Sequence, residues 1–487
     1  MLPPAPPHLD EAPPSRWRRV RAHLREAAVL DLRALALGRI GLALLLLYDL
    51  ALRATDLEAH YTDAGVEPRS EVGRPELPLF RLYFLSGEAS VTRTLFVMAA
   101  TAATALLLGY RTRLATGLSW IFVASLQARN GHILQGGDNL LQMFLLWGLF
   151  LPLAGVWSLD ARTRPPPTCT RITGAANFAF CGQLFMLYFI TGTLKANLPH
   201  WRLGDGVWDA LNADEFVTRF GLWLHPHRGI LKLLGWGTLV LEILGPFVML
   251  VPPRRWRVRL ALVLSFIGLH LGITASMRIG MFSFVSIVGW LFLLPPGLFD
   301  RLHVRPIREG VAPSGSRWAS RAAGVIFAYL VLAAMVSDRM PHGRVRDGLL
   351  KPARLLDLQE HWGMFVKPRA HSGFLVLEGT LRNGGAIDLL RGGAPVSFSP
   401  PPLVIDLFPN QRWRKWLTGL TKDKDAERQR AERFAAWLCR KENSTRPSET
   451  ALTNVRVVYV KHPVDARGDD SRAERVTVAS KACRPEG

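Results

Sequence analysis

The chain reads as an α-helical polytopic membrane protein of about nine transmembrane helices, with a C-terminal extracytoplasmic α+β domain. Three observations lead there. Apolar residues gather into runs of roughly 17–24, the length of a bilayer-spanning helix, rather than being scattered. Lys and Arg crowd one set of connecting loops. From about residue 338 onward the chain turns polar, and no spanning run recurs.

Composition excludes the competing classes. The 487 residues are 49% hydrophobic with 60 Lys plus Arg against 39 Asp plus Glu, a net charge of +21, and the mean hydropathy is +0.14. A simple soluble domain, a disordered chain and an outer-membrane barrel with its short alternating strands all fit poorly. The basic excess flanks apolar runs, as membrane topology requires, and calls for no nucleic acid. Four cysteines without C-x-x-C or a His/Cys cluster argue against a zinc site or a disulfide scaffold.

Residues 1–28 are Pro-rich and then Arg-rich (Arg16, Arg18, Arg19, Arg21, Arg25), which resembles a signal-peptide n-region. The next apolar run is long and lacks a small-residue cleavage site, so the segment reads as a retained cytoplasmic tail. Apolar segments lie at about 33–52, 94–110, 114–130, 139–157, 176–195, 229–252, 258–276, 279–297 and 321–337. Arg39 and Asp49 sit inside the first. With the tail inside, the inner loops hold roughly nineteen Lys/Arg, including Arg254, Arg255, Arg257, Arg259, Arg301, Arg305 and Arg308. The outer loops hold roughly ten and many acids, among them Asp56, Glu58, Asp63, Glu67, Glu71 and Glu76. An odd number of crossings places residues 339–487 outside, beyond a membrane domain of 29–338.

In that outer domain Phe374 to Leu377, Ala386 to Leu390 and Val455 to Val460 read as strands between Gly, Asn and Pro punctuation. Residues 411–441 read as a charged amphipathic helical region with Trp413, Trp416 and Phe434. Cys439 and Cys483 either pair in an oxidising compartment or remain two free thiols. Asn443-Ser444-Thr445 matches a glycosylation triplet, a pattern common by chance.

Ionisable groups in spanning helices are costly and therefore informative. His132, at the outer end of the third segment, Lys195, at the outer end of the fifth, and His270, in the seventh, lie on helices running the same way. They are candidates for one outward-facing cavity. A lysine at a helix end ordinarily snorkels to the headgroups, and a lone membrane histidine ordinarily packs as a hydrogen-bonding residue. The functional alternative is a desolvated amine at Lys195 acting as a base, with His132 or His270 orienting a bound oxygen. Gln135-Gly136-Gly137-Asp138-Asn139 is a tight turn opening a helix that Asp138 can cap. Trp201, with Gly204, is either an interfacial anchor or a cavity wall. Arg278 to Ser283 forms a turn between segments.

Taken in order, these segments resemble the vitamin K-dependent gamma-glutamyl carboxylase family in its bacterial branch, the HTTM (horizontally transferred transmembrane) domain. The resemblance rests on Arg39…Tyr48-Asp49, Tyr61-Thr62-Asp63-Ala64-Gly65, Asn130-Gly131-His132 and Trp157-Ser158-Leu159-Asp160. It continues in Tyr188-Phe189-Ile190…Gly192…Lys195, Trp201 with Gly204, and His270…Ile279-Gly280-Met281-Phe282-Ser283. Each motif is weak alone; the ordered set is specific. The resemblance implies a lyase-class integral enzyme of the bacterial inner membrane. Lys195 falls on the lysine that deprotonates the reduced quinone, and Asn130 and His132 on the stretch that stabilises the oxygenated intermediate. His270, Trp201 and Met281 fall on the substrate- or cofactor-binding part. Reduced vitamin K or a menaquinone-type quinol, O2 and CO2 are the implied co-substrates, and a secreted peptide or protein the implied partner beside membrane lipid. Two departures stand out: the chain is much shorter than the animal enzyme, and Leu194 precedes Lys195 where the animal motif has a second lysine. A non-catalytic membrane scaffold or maturation factor for a secreted peptide, using the outer domain and aromatics such as Trp362, Trp413 and Trp416, is the alternative.

Overall fold

The computed structural model describes residues 15–252, 254–304, 310–341, 343–356, 358, 363–422, 425–464 and 472–483. Trp362, the Pro-rich start of the tail, and Arg305 and Arg308 lie outside them. Helices of ten residues or longer are numbered in chain order: α1 Arg16–Ala27, α2 Leu32–Ala54, α3 Ala89–Leu108, α4 Thr112–Arg129, α5 Gly136–Gly148, α6 Ala175–Ala196, α7 Arg228–Val248, α8 Trp256–Ser276, α9 Phe282–Leu291, α10 Arg317–Arg339, α11 Arg344–Leu355, α12 Gln411–Leu420 and α13 Asp425–Asn443.

Six of these, α2, α3, α6, α7, α8 and α10, are long and apolar enough to cross a membrane. The other three expected segments also form helices, with reasons for falling short. α4 has the length but carries Arg113, Gln127 and Arg129. The fourth segment is helical only to Gly148, because Pro152 and Gly155 interrupt its second half. α9 has ten residues, about 15 Å of rise against a hydrocarbon core of about 30 Å.

A small sheet fixes the relative direction of three helices. Leu30–Asp31 pairs antiparallel with Arg171–Thr173, which pairs parallel with Val311–Pro313. These strands lead directly into α2, α6 and α10, so all three helices start at the same end of the bundle. Asp31 caps α2 through the Arg33 amide at 2.8 Å and also accepts from the Arg33 guanidinium, which reaches Asp300. Within the bundle α2 packs on α3 and α9, while α6 lies between α7 and α10. Close approach at the α2–α9 crossing needs glycine: a Cβ on Gly38 would sit 2.2 Å from the Phe292 ring. Arg39, fully buried in α2, donates to the carbonyls of Leu106 and Leu107 at 3.0 Å and of Trp157 at 2.6 Å. It therefore satisfies the orphan acceptors at the C-terminal end of α3 and sits at the negative end of that helix's dipole.

Beyond the bundle, a five-stranded antiparallel sheet runs in the order Ala394–Pro395, Ala386–Asp388, His371–Leu381, Leu452–Pro463, Glu474–Ala482. α13 covers the two strands that come after it in sequence. The strands expected at Phe374 to Leu377 and Val455 to Val460 are longer than the sequence implied, the one expected at Ala386 to Leu390 ends at Asp388 in a turn, and Glu474–Ala482 was not expected, because its alternation is mostly polar and exposed. Cys439 and Cys483 are disulfide-bonded, tying α13 to the end of that edge strand. Trp413 and Trp416 lie in the core of this layer, 8% and 1% exposed, so they are not free surface for a partner. The Asn443 side chain bonds both backbone groups of Leu452, so it holds a turn rather than presenting an acceptor for sugar.

The outer layer is bolted to the bundle by a buried four-residue ion cluster. Arg412 of α12 donates to Asp138 at 2.6 and 2.7 Å, to Asp49 at 2.7 Å and to the Ile133 carbonyl at 3.0 Å. Arg53 completes the ring through Asp49 and Asp138, both at 2.7 Å, and donates to the Tyr61 hydroxyl at 2.6 Å. Asp138 also caps α5 by accepting the Gln135 amide at 2.7 Å, so its expected capping role is half of what it does. Two carboxylates and two guanidiniums balance in charge, and none is more than 7% exposed. Removing one partner leaves an uncompensated buried carboxylate. Arg412→Met is therefore expected to destabilise the junction by about 3–5 kcal/mol, read as early protease cleavage within residues 343–483 while the bundle persists.

Candidate functional site

α6 carries Lys195 in its last turn, on the same face as Tyr188 two turns earlier. Lys195 does not snorkel into bulk solvent: it is 7% exposed, and its Nζ lies 2.7 and 2.9 Å from the two carboxylate oxygens of Glu242 on α7. Gly192, one turn before the lysine, lets the helices close, since a Cβ there would meet Glu242 at 2.9 Å. The chain leaves α6 and re-enters a short helix, Pro199–Arg202, which folds Trp201 back over the amine. The Lys195 Nζ sits 4.6 Å from that ring centroid, a cation–π contact in a dry setting. Trp201 is 2% exposed and held by its Nε1 donating to the Phe365 carbonyl at 3.0 Å. Trp201 therefore lies buried over the amine rather than exposed at a helix end.

About 10 Å along the axis of α6, a second polar group faces the same side. The Tyr188 hydroxyl accepts from Trp290 Nε1 at 2.9 Å and lies 2.7 Å from His270 Nε2. Phe282 packs edge-on against the His270 ring at 5.7 Å between centroids, and Met281, 4% exposed, begins α9 beside it. Thus Lys195, Trp201, Tyr188, His270 and Met281 come from α6, its exit loop, α8 and the α8–α9 turn.

His132 and Asn130 occupy a different neighbourhood. Asn130 is fully buried, donates to the His60 carbonyl at 3.2 Å and accepts the His132 amide at 3.2 Å. It shapes the turn between α4 and α5. The His132 ring faces Trp416 at 6.1 Å between centroids, under the outer helices. Partial burial first, and then the charge of Arg430, lower its pKa to about 4. His60, 1% exposed, packs tilted against Trp413 at 4.4 Å between ring centroids in the same cluster, and neither of its ring nitrogens has a partner among the described residues.

Beside the last turn of α6 lies a chamber of about 470 Å³, lined by Leu194 and Phe365 together with Asp209, Lys367 and Arg369. That volume suits a small organic ligand. Glu242 is the residue missed from sequence. It lies 47 residues from its partner, but a glutamate inside Leu241-Glu242-Ile243 is an intramembrane carboxylate, which alone marks a functional candidate.

The junction cluster has a pH signature. Burial pushes the pKa of His60 from 6.5 to about 3; Asp56 opposes this, and Arg412 and Arg53 reinforce it. Between those values the unfolded chain binds the proton and the folded one does not. Stability is therefore expected to fall as pH drops below about 6.5, by up to about 1.4 kcal/mol per pH unit. Denaturation midpoints measured from about pH 7 to about pH 5 should show this slope, and His60→Phe should flatten it.

No curated protein and no solved structure matches the chain. Residues 29–297 match the HTTM domain, the domain of vitamin K-dependent carboxylase-like proteins. That stretch runs from the first strand through α9 and contains Lys195, Trp201, Glu242 and His270. With more than half of its length matched, the chain belongs to the HTTM domain family.

Proposed function

We propose that this chain is a multi-pass inner-membrane enzyme that deprotonates a reduced naphthoquinone and uses it with O2, yielding the quinone epoxide. Addition of CO2 to glutamate in a secreted peptide or protein is the coupled reaction. The observation that carries this reading is the buried Lys195–Glu242 pair beneath Trp201, inside the domain that belongs to carboxylase-like proteins. After reaction with O2 the quinol supplies a base strong enough to take a glutamate γ-proton. The chain's own residues make that first deprotonation feasible. Lys195 is placed as the base that takes the quinol proton, and Glu242 holds its amine in position. Trp201 and the apolar wall limit water, which would otherwise quench a strong base. Tyr188 and His270 form a hydrogen-bonded wall deeper on the same face. In this reading His132 and Asn130 shape the junction above the site rather than touching the quinol.

The same reading carries a topology of nine crossings, with the tail cytoplasmic and the sheet domain extracytoplasmic. It is supported by the shared starting end of α2, α6 and α10, which calls for the chain to return to that end between α8 and α10, over the apolar stretch that holds α9. The basic loops on that end and a disulfide in the sheet domain, suited to an oxidising compartment, point the same way.

Purified protein given reduced menaquinone or vitamin K and O2 is expected to form epoxide. Lys195→Ala should abolish it, and Glu242→Gln should slow it by about 10²–10⁴-fold, the usual weight of a positioned base. Robust turnover by Lys195→Ala would remove the assigned base. Absence of any quinol turnover by the folded wild type would instead favour a scaffold.

A further inference from the structure

α6 has a second face, opposite Lys195. There a groove of about 1010 Å³ runs between α6 and α10, walled by residues such as Met186, Ile190, Leu330 and Ala334. Its lining is mostly apolar and reaches Leu24, Ala27 and Ala28 of the tail segment and Leu250 after α7. So one mouth of the groove opens at the end of the bundle where the three-stranded sheet sits.

That mouth is strongly basic. α1 carries Arg16, Arg18, Arg19, Arg21 and Arg25, all exposed, against a single acid, Glu26. Glu26 is engaged by Arg254 at 3.1 Å, which brings the exposed Arg254, Arg255 and Arg257 beside the helix. Arg21 and Arg25 flank Leu24, the α1 residue that lines the groove. α1 is also amphipathic in a way that continues the groove floor: Trp17, 76% exposed, and Val20, 41% exposed, extend the stripe of Leu24 and Ala28 outward. An apolar floor edged by guanidiniums is what a helix lying in the headgroup plane presents to lipid. The far end of the groove reaches Leu194, which also lines the chamber beside Lys195, whereas the arginines and Trp17 lie at the opposite mouth.

We infer that this mouth is a binding site for an anionic phospholipid, with one acyl chain in the α6–α10 groove and the phosphate held by arginines of α1 and the 254–257 turn. Charge complementarity selects the occupant. A zwitterionic lipid or a neutral quinone fills the groove without using the arginines, and a free phosphate uses the arginines without filling the groove.

The test is native mass spectrometry of the full chain released from vesicles of equal parts phosphatidylglycerol and phosphatidylcholine. Wild type should retain phosphatidylglycerol about tenfold or more over phosphatidylcholine. Arg21→Gln/Arg25→Gln/Arg254→Gln should bring the ratio to parity while still carrying lipid. Ala334→Phe, which fills the groove, should lose bound lipid of both kinds while leaving Trp17 fluorescence sensitive to anionic vesicles. Retention without headgroup preference, an unchanged ratio in the triple variant, unchanged lipid in Ala334→Phe, or a retained quinone in place of phospholipid would each overturn the assignment. A wild type that keeps no lipid would do the same.

Discussion

The cluster of Asp49, Arg53, Asp138 and Arg412 is the constraint on which the rest of the molecule depends. Charges taken from water are tolerated when they are paired at close range. Here the four groups pair with one another: Arg412 spans both carboxylates, Arg53 spans them from the other side, and Tyr61 and the Ile133 carbonyl take two further donors. Such a cluster admits one arrangement of its parts. Because its members come from α2, the start of α5 and α12, it sets how the sheet domain sits over the bundle. Around it Glu67, 1% exposed, faces Arg430 and Arg433 of α13, so the junction is reinforced by a second ring of opposite charge.

The same rule explains the site lower down. An unpaired ammonium at Lys195 would be strongly disfavoured in a dry setting, and an unpaired carboxylate at Glu242 equally so. Pairing makes both tolerable, and Trp201 closes the cover without adding a competing polar group. A lysine paired with a carboxylate on the neighbouring helix is a different arrangement from the lone desolvated amine that Lys195 by itself suggests.

The two faces of α6 divide the work of the membrane domain. One carries Tyr188 and Lys195 toward α7 and α8. The other opens toward α10 as an apolar groove. A helix with period 3.6 presents both faces because Tyr188 and Lys195 fall seven apart, while Met186 and Ile190 fall on the opposite arc.

Runs of apolar residues, basic loops and the polar C-terminal third were enough to establish a multi-pass helical protein with an appended mixed domain, since hydropathy and charge act locally and can be read along the chain. The ordered motifs from Arg39 to Ser283 were likewise enough for the family. Partner choice was not legible. Glu242 meets Lys195, and Arg412 meets Asp49, across 47 and 363 residues, and nothing local in either stretch names the other. The grouping of His132 with Trp416 rather than with Lys195 was hidden for the same reason: sharing a helix direction does not fix which neighbour a ring faces. Composition decides that a charge in a membrane helix must be compensated; only packing in three dimensions decides by what.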